Sequence, residues 1–155
     1  METAEIGIIG GSGFYQMEAI NSPKYLELDT PFGKPSEKIL LGNIKNRPVA
    51  FLSRHGKGHR NNPSEVNYRA NLFAMKMLNV KRLISVSACG SLAEKYKPSH
   101  LVIPDQFVDN TFKRNKTYFE KGIAVHVSMA DPFCPYLSEL AFRSAKRIGI
   151  TVHKG

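Results

Sequence analysis

Cysteine is scarce in this chain. Only Cys89 and Cys134 occur among 155 residues, and they form no C-x-x-C pair. That number and spacing exclude a disulfide-dense secreted scaffold and supply no structural zinc pattern, as fits a cytoplasmic protein. Long apolar runs are missing too. The N-terminus carries Glu2 and Glu5 and no extended hydrophobic core, so neither a signal peptide nor a membrane helix is read there. Asn115-Lys116-Thr117 matches a glycosylation sequon, which has no meaning without secretion. Acids are few, 13 against 22 Lys and Arg, giving a net charge of +9. The basic residues are dispersed along the chain among acids, with no run of five, so the stripe expected of a nucleic-acid binder is lacking. A cytosolic enzyme that attracts anionic substrates has the same balance. No repeat, low-complexity tract or obvious linker is present. What is there, 42% hydrophobic and 23% charged, is an ordinary globular composition. A chain of this length suits one domain that buries roughly 70% of its unfolded surface.

The segment richest in information is Ile6-Gly7-Ile8-Ile9-Gly10-Gly11-Ser12-Gly13. Ile6, Ile8 and Ile9 read as a buried strand, and the glycines let the backbone turn with its amides unobstructed. Successive exposed amides with the Ser12 hydroxyl form a concavity for a phosphate-like anion. A purely structural turn has the same appearance. Neither G-x-x-x-x-G-K-[ST] nor G-x-G-x-x-G fits these residues. Positive charge for any bound anion therefore has to come from elsewhere.

Strand candidates are 6–9, 24–28, 38–42, 48–53, 83–87, 101–103, 124–127 and 150–153. Pro31-Phe32-Gly33 reads as a turn and Asn46-Arg47-Pro48 as a hairpin connection. A first helix follows Pro63-Ser64, with Ser64 as N-cap and Val66, Ala70, Phe73, Ala74 and Met77 on one face. A second begins near Pro135, a favourable first-turn position. Leu137, Leu140, Ala141, Ser144 and Ile148 form its apolar face, Lys146 and Arg147 suit its negative end, and Gly149 can end it in a left-handed conformation. The pattern predicts an α/β fold with a mixed central sheet flanked by helices. Two helices cannot cover both faces of such a sheet. The expectation is one α/β domain over 1–155, incomplete at its C-terminus.

Three segments leave strands with small or charged residues: Gly10-Gly11-Ser12-Gly13, Ser53-Arg54-His55-Gly56-Lys57-Gly58-His59 and Val86-Ser87-Ala88-Cys89-Gly90-Ser91. Ligands collect beyond the carboxyl ends of strands in open α/β sheets, so these turns can converge. Arg54 offers a planar fork for a phosphate. His55 can donate a hydrogen bond, and the Ser12 and Ser87 hydroxyls and the Ala88 amide can complete a cage for a dianion without a metal. Arg54 alone reads equally as a surface ion pair, and His55 as a satisfied core histidine. His55 and His59 have zinc-helix spacing, but Gly56 and Gly58 oppose a helix and the H-E-x-x-H glutamate is missing. Cys89 reads as a small buried residue rather than a nucleophile. Phe73, Met75 and Met77 read as core.

Taken in order, the segment at 6–13, Thr30-Pro31-Phe32-Gly33-Lys34-Pro35-Ser36, Arg54-His55-Gly56-Lys57-Gly58-His59, Asn67-Tyr68-Arg69-Ala70-Asn71, Ser87-Ala88-Cys89-Gly90-Ser91-Leu92 and Met129-Ala130-Asp131-Pro132-Phe133-Cys134-Pro135 closely resemble the 5′-methylthioadenosine phosphorylases of the purine nucleoside phosphorylase superfamily. The likeness runs over essentially the whole chain. It implies a trimeric or hexameric cytoplasmic α/β enzyme of methionine and purine salvage. Such an enzyme cleaves methylthioadenosine with inorganic phosphate as co-substrate and no cofactor or metal, giving adenine and 5-methylthioribose 1-phosphate. By motif match, phosphate contacts fall on Ser12, Arg54, His55, Ser87 and Ala88. A substrate contact at the 5′-thioether of a neighbouring subunit falls on His126. The resemblance places the purine-contacting acid beyond Gly155, so this chain is expected to supply the phosphate-binding half. Two alternatives stand beside this reading: a non-catalytic binding or assembly module, and a phosphorylase for methylthioinosine or other purine nucleosides. The implied partners are a small-molecule nucleoside, phosphate and further copies of the chain, with neither nucleic acid nor membrane.

Overall fold

The computed structural model describes residues 2–11 and 20–155, which divide into two compact units. The first comprises Met1–Ala88 and Lys113–Tyr118, the second Cys89–Phe112 and Phe119–Gly155.

In the first unit, strands β1 (Ile6–Gly10), β2 (Asn21–Leu26), β3 (Ile39–Ile44), β4 (Arg47–Ser53) and β5 (Arg82–Ser85) form one sheet in the order β2-β3-β4-β1-β5. β1 runs parallel to both β4 and β5, whereas β2, β3 and β4 pair antiparallel. The sheet is mixed, as the sequence predicts. Lys45 and Asn46, at φ 47° and 64°, make the two-residue link between β3 and β4. Two positive φ values in succession match the right-handed twist of the flanking strands. Ile39, Leu41, Ala50 and Leu52 pack against Ala74, Met75 and Leu78. Leu40, Val49 and Phe51 are buried as well, so the middle of β3 and β4 is covered on both faces, which explains their unbroken apolar runs.

Helix α1 (Tyr68–Met77) supplies much of that core. Its N-cap is Asn67, not Ser64. The Asn67 side chain accepts from the Ala70 amide, while Ser64 lies in a preceding turn whose amide is bonded to Asn62. The buried stripe is Ala70, Asn71, Ala74 and Met75, continued by Leu78, so it shares Ala70 and Ala74 with the expected face and turns away from Met77. Met77 consequently points outward, 39% exposed, against the expectation of a core residue. Gly7 sits where α1 and β5 crowd β1. A Cβ there would lie 2.9 Å from Leu83 Cδ1 and 3.1 Å from Met75 Sδ. A side chain there would have to displace the ends of those neighbouring side chains.

In the second unit, β6 (Leu101–Ile103), α2 (Pro135–Arg147) and β7 (Val152–Lys154) make a parallel strand pair joined through a helix, the connection parallel strands require. Pro135 occupies the first turn of α2, and Gly149 follows its end at φ 78°. The predicted apolar face is not a buried one: Leu140 and Ile148 are 48% and 70% exposed, and Ala145 alone is fully buried. Residues 124–127 form no strand. A β-ladder needs a partner for its backbone groups, and no described strand pairs with this stretch.

Candidate active site

Parallel pairing of β4, β1 and β5 brings three carboxyl ends to one edge of the first unit. The register sets Gly10 opposite Ser53 and Ile9 opposite Ser85. Beyond the ladders, the Arg54 amide donates to the Gly10 carbonyl at 3.0 Å and the Val86 amide to the Ile9 carbonyl at 2.9 Å. Residues 44 and 77 positions apart in sequence thus leave the sheet side by side. Arg54 closes the gap. Its Nη1 donates to Ser87 Oγ at 2.5 Å and reaches the Val86 carbonyl at 3.5 Å.

His55 holds Arg54 from the other side. Arg54 Nε donates to His55 Nε2 at 3.2 Å, and His55 Nδ1 meets the Asn61 carbonyl at 2.9 Å. A carbonyl only accepts and a guanidinium only donates. The proton is therefore on Nδ1, and Nε2 is the acceptor. In this arrangement His55 orients the guanidinium. Donation from Nε2 to an anion requires the doubly protonated ring and release of Arg54 Nε. His59, at the end of a short 3-10 turn (Lys57–His59), lies with its ring stacked on that of His55, centroids 5.6 Å apart. The two histidines are stacked rather than splayed for a metal. Among the described residues no group of three His, Cys, Asp or Glu could hold an ion.

Of the residues singled out from the sequence, Arg54, His55 and Ser87 come together here, with Ala88 next in chain and Gly10 ending β1 opposite Ser53. Ser12 lies outside the described residues. His126 belongs to the second unit, exposed in a non-strand segment. Cys89 is exposed, not buried as expected: the chain leaves β5 at Ser85, and residues 87–92 beyond it are all exposed. A hollow of about 280 Å³, whose lining includes Asn67, Tyr68, Arg69 and Arg114, contains none of the predicted site residues.

Sequence reasoning misses what supports the site. Asn71, 2% exposed, accepts from the Ser36 amide at 2.8 Å and donates to Ser36 Oγ at 2.9 Å. Asn67 Nδ2 donates to the Phe32 carbonyl at 2.7 Å while its Oδ1 caps α1. Two asparagines at i and i+4 on an otherwise apolar helix face were the available signal. They stitch residues 32–36 to the helix, and the Phe32 ring is clasped edge-on by Phe73 and Tyr118.

Residues 5–155 match the family model of the phosphorylase superfamily. The chain belongs to that superfamily. This phosphorylase-superfamily chain is 53% identical to the S-methyl-5′-thioadenosine phosphorylase of Thermofilum pendens over 154 residues, which are 99% of the chain and 59% of the relative. It is likewise 53% identical to the enzyme of that name from Chloroflexus aurantiacus, over 100% of the chain and 54% of the relative. Among solved structures, it superposes on a methylthioadenosine phosphorylase from an Antarctic soil metagenomic library with a TM-score of 0.96 and 48% identity, covering 99% of this chain and 55% of that one. Methylthioadenosine phosphorylase from Schistosoma mansoni, in complex with adenine, gives a TM-score of 0.91 at 34% identity over 99% of this chain and 63% of that one. The chain therefore spans little more than half the length of the curated relatives it matches.

Proposed function

We propose that this chain contributes the phosphate-binding half of an enzyme that phosphorolyses 5′-methylthioadenosine, releasing adenine and 5-methylthioribose 1-phosphate for methionine and purine salvage. The single observation that carries the reading is the Arg54–Ser87 bond across the carboxyl ends of two parallel strands, beside Gly10 at the end of β1. Similarity along essentially all of this chain to enzymes named for that substrate supports it, as does the adenine bound by the schistosome relative.

Phosphate is the nucleophile in this chemistry. One phosphate oxygen forms a bond to the ribose anomeric carbon as the bond from that carbon to the purine nitrogen breaks. The electron pair leaves with the base, which takes up a proton. No serine or cysteine of the protein has to attack. The protein holds the dianion under the sugar and faces positive charge developing on the ring, so positioning and fixed electrostatics supply most of the acceleration. Arg54 offers its fork to the anion, and with His55 set against its inner nitrogen the plane of that fork is fixed before phosphate arrives. The hydroxyls of Ser87 and Ser12 and the Ala88 amide are assigned the remaining phosphate oxygens. His126 is assigned to the 5′-thioether end of the substrate in an adjacent copy of a trimeric or hexameric cytoplasmic assembly. No residue of this chain is assigned the proton for the purine.

The test is to incubate the assembled enzyme that contains this chain with methylthioadenosine, with and without inorganic phosphate, and to follow adenine and sugar phosphate by chromatography. Both products are expected, only with phosphate present. Release of adenine without phosphate would overturn the assignment, and faster turnover of methylthioinosine would transfer it to that substrate.

A further inference from the structure

The loop that carries Arg54 and His55 rests on a carboxylate that the mechanism does not use. Glu37 lies just before β3, its side chain only 15% exposed. Its Oε2 accepts from the Lys57 amide at 2.9 Å and pairs with Arg60 Nη2 at 3.1 Å. Its Oε1 accepts from the Lys38 amide at 3.0 Å. Arg60 Nη2 also donates to the Ser36 carbonyl at 3.0 Å, and Ser36 is the residue that Asn71 fastens to α1. Gly56 passes against the same shelf. At φ 74° its backbone favours glycine, and a Cβ would stand 3.0 Å from the Ser36 carbonyl oxygen and 2.9 Å from Arg60 Nε. Beyond this support the loop closes on itself, the Asn61 amide donating to the His55 carbonyl at 3.1 Å and the Asn61 carbonyl accepting from the His55 ring.

A largely buried carboxylate beneath a loop that serves a dianion is unfavourable unless its charge is matched. Here one guanidinium and two backbone amides match it. All three of those neighbours are donors. A neutral amide in place of the carboxylate would turn an N–H toward one of them, and the fit would fail on one side. The negative charge is therefore needed at this position for the shape of the loop.

We propose that Glu37, together with Arg60, is a positioning residue for the anion site: it fixes residues 55–61 so that His55 can hold Arg54 across to Ser87. This inference rests on the phosphate reading of that site. Glu37 bonds to Lys38, Lys57 and Arg60, so its influence on Arg54 passes through the loop backbone.

The experiment titrates inorganic phosphate calorimetrically into the full-length protein and into Glu37→Gln, Arg60→Ala, Arg54→Ala and Glu37→Gln/Arg54→Ala variants, with folding checked by circular dichroism. Glu37→Gln is expected to weaken phosphate about tenfold, which is about 1.4 kcal/mol. Its Michaelis constant for phosphate should rise while that for the nucleoside holds. Arg60→Ala, changed at a side chain that is 59% exposed, should act in the same direction should Glu37→Gln not fold. The decisive readout is the double variant: a residue that works through Arg54 adds nothing once Arg54 is gone. Full phosphate affinity in folded Glu37→Gln or Arg60→Ala, with affinity lost in Arg54→Ala, would overturn the proposal and leave the phosphate reading standing. An additive loss in the double variant would also overturn it, as general loosening. Unchanged affinity in Arg54→Ala would overturn the phosphate reading itself.

Discussion

Arg54 is fixed by two neighbours of different chemistry, a hydroxyl oxygen and a ring nitrogen, and this decides what can replace it. Lysine keeps the charge but presents a point rather than a plane, so it cannot reach Ser87 and lean on His55 at once. Arg54→Lys is therefore expected to recover little of the phosphate affinity lost in Arg54→Ala, as calorimetry with inorganic phosphate will test; full recovery would reduce Arg54 to a simple source of charge. Glu37 carries a separate expectation. Burial alone would push its carboxyl up, but the Lys57 and Lys38 amides and the Arg60 guanidinium outweigh it and hold the group below its ordinary value of 4.5. Because the native state then binds its proton less readily than the unfolded chain, Glu37 stabilises the fold above about pH 4.5. That contribution fades as acid protonates the native carboxylate. Denaturation midpoints measured from pH 6 downward should fall less steeply in Glu37→Gln than in the parent, and parallel curves would refute the assignment.

Helix α1 illustrates how a buried polar residue can define an element. Asn71 is fully enclosed, yet among the described residues no buried side-chain nitrogen or oxygen lacks a partner. Removing the amide would strand the Ser36 amide and hydroxyl in the interior, and an unmet buried group costs about 1–3 kcal/mol. Asn71→Ala should lower the stability measured by urea unfolding by that amount. Asn67→Ala loses a helix cap worth about 1 kcal/mol together with the bond to the Phe32 carbonyl, so its effect should be at least as large. The helix itself is legible in the sequence from its apolar spacing, but its phase is not. Ser64 and Asn67 are both acceptable caps, and the choice between them depends on Phe32 and Ser36, more than thirty residues earlier. Residues 124–127 show the converse. Their alternating apolar pattern fits a strand, but a strand exists only where a neighbour offers free backbone groups.

Taken as a whole, the chain leaves much apolar surface uncovered, and this is concentrated in the second unit. Phe112, Val108, Ile148, Val127 and Tyr136 are all more than 65% exposed. In the first unit, Leu83 and Ile84 of edge strand β5 are 37% and 45% exposed. Large apolar side chains exposed in this number favour association. The 155-residue polypeptide, purified by itself, is expected to sediment as concentration-dependent assemblies, and a monodisperse monomer across a hundredfold dilution series would contradict this. No helix among the described residues is long and apolar enough to cross a membrane.

Local chemistry carried a good part of this protein on its own. Glycine and proline punctuation, short aliphatic runs and one-face spacing marked most strands and both helices, because those preferences act within a few residues. The turns bearing Gly10, Arg54 and Ser87 stood out for the same reason, as small or charged residues placed directly after apolar strands. Long-range packing supplied the rest. Parallel pairing of β4, β1 and β5 set Arg54 against Ser87, and Asn61 chose the tautomer of His55. Glu37, unremarkable in its own neighbourhood, became the support of a loop twenty residues away. Those contacts depend on which donors and acceptors the folded chain brings within three ångströms, and no local pattern encodes that distance.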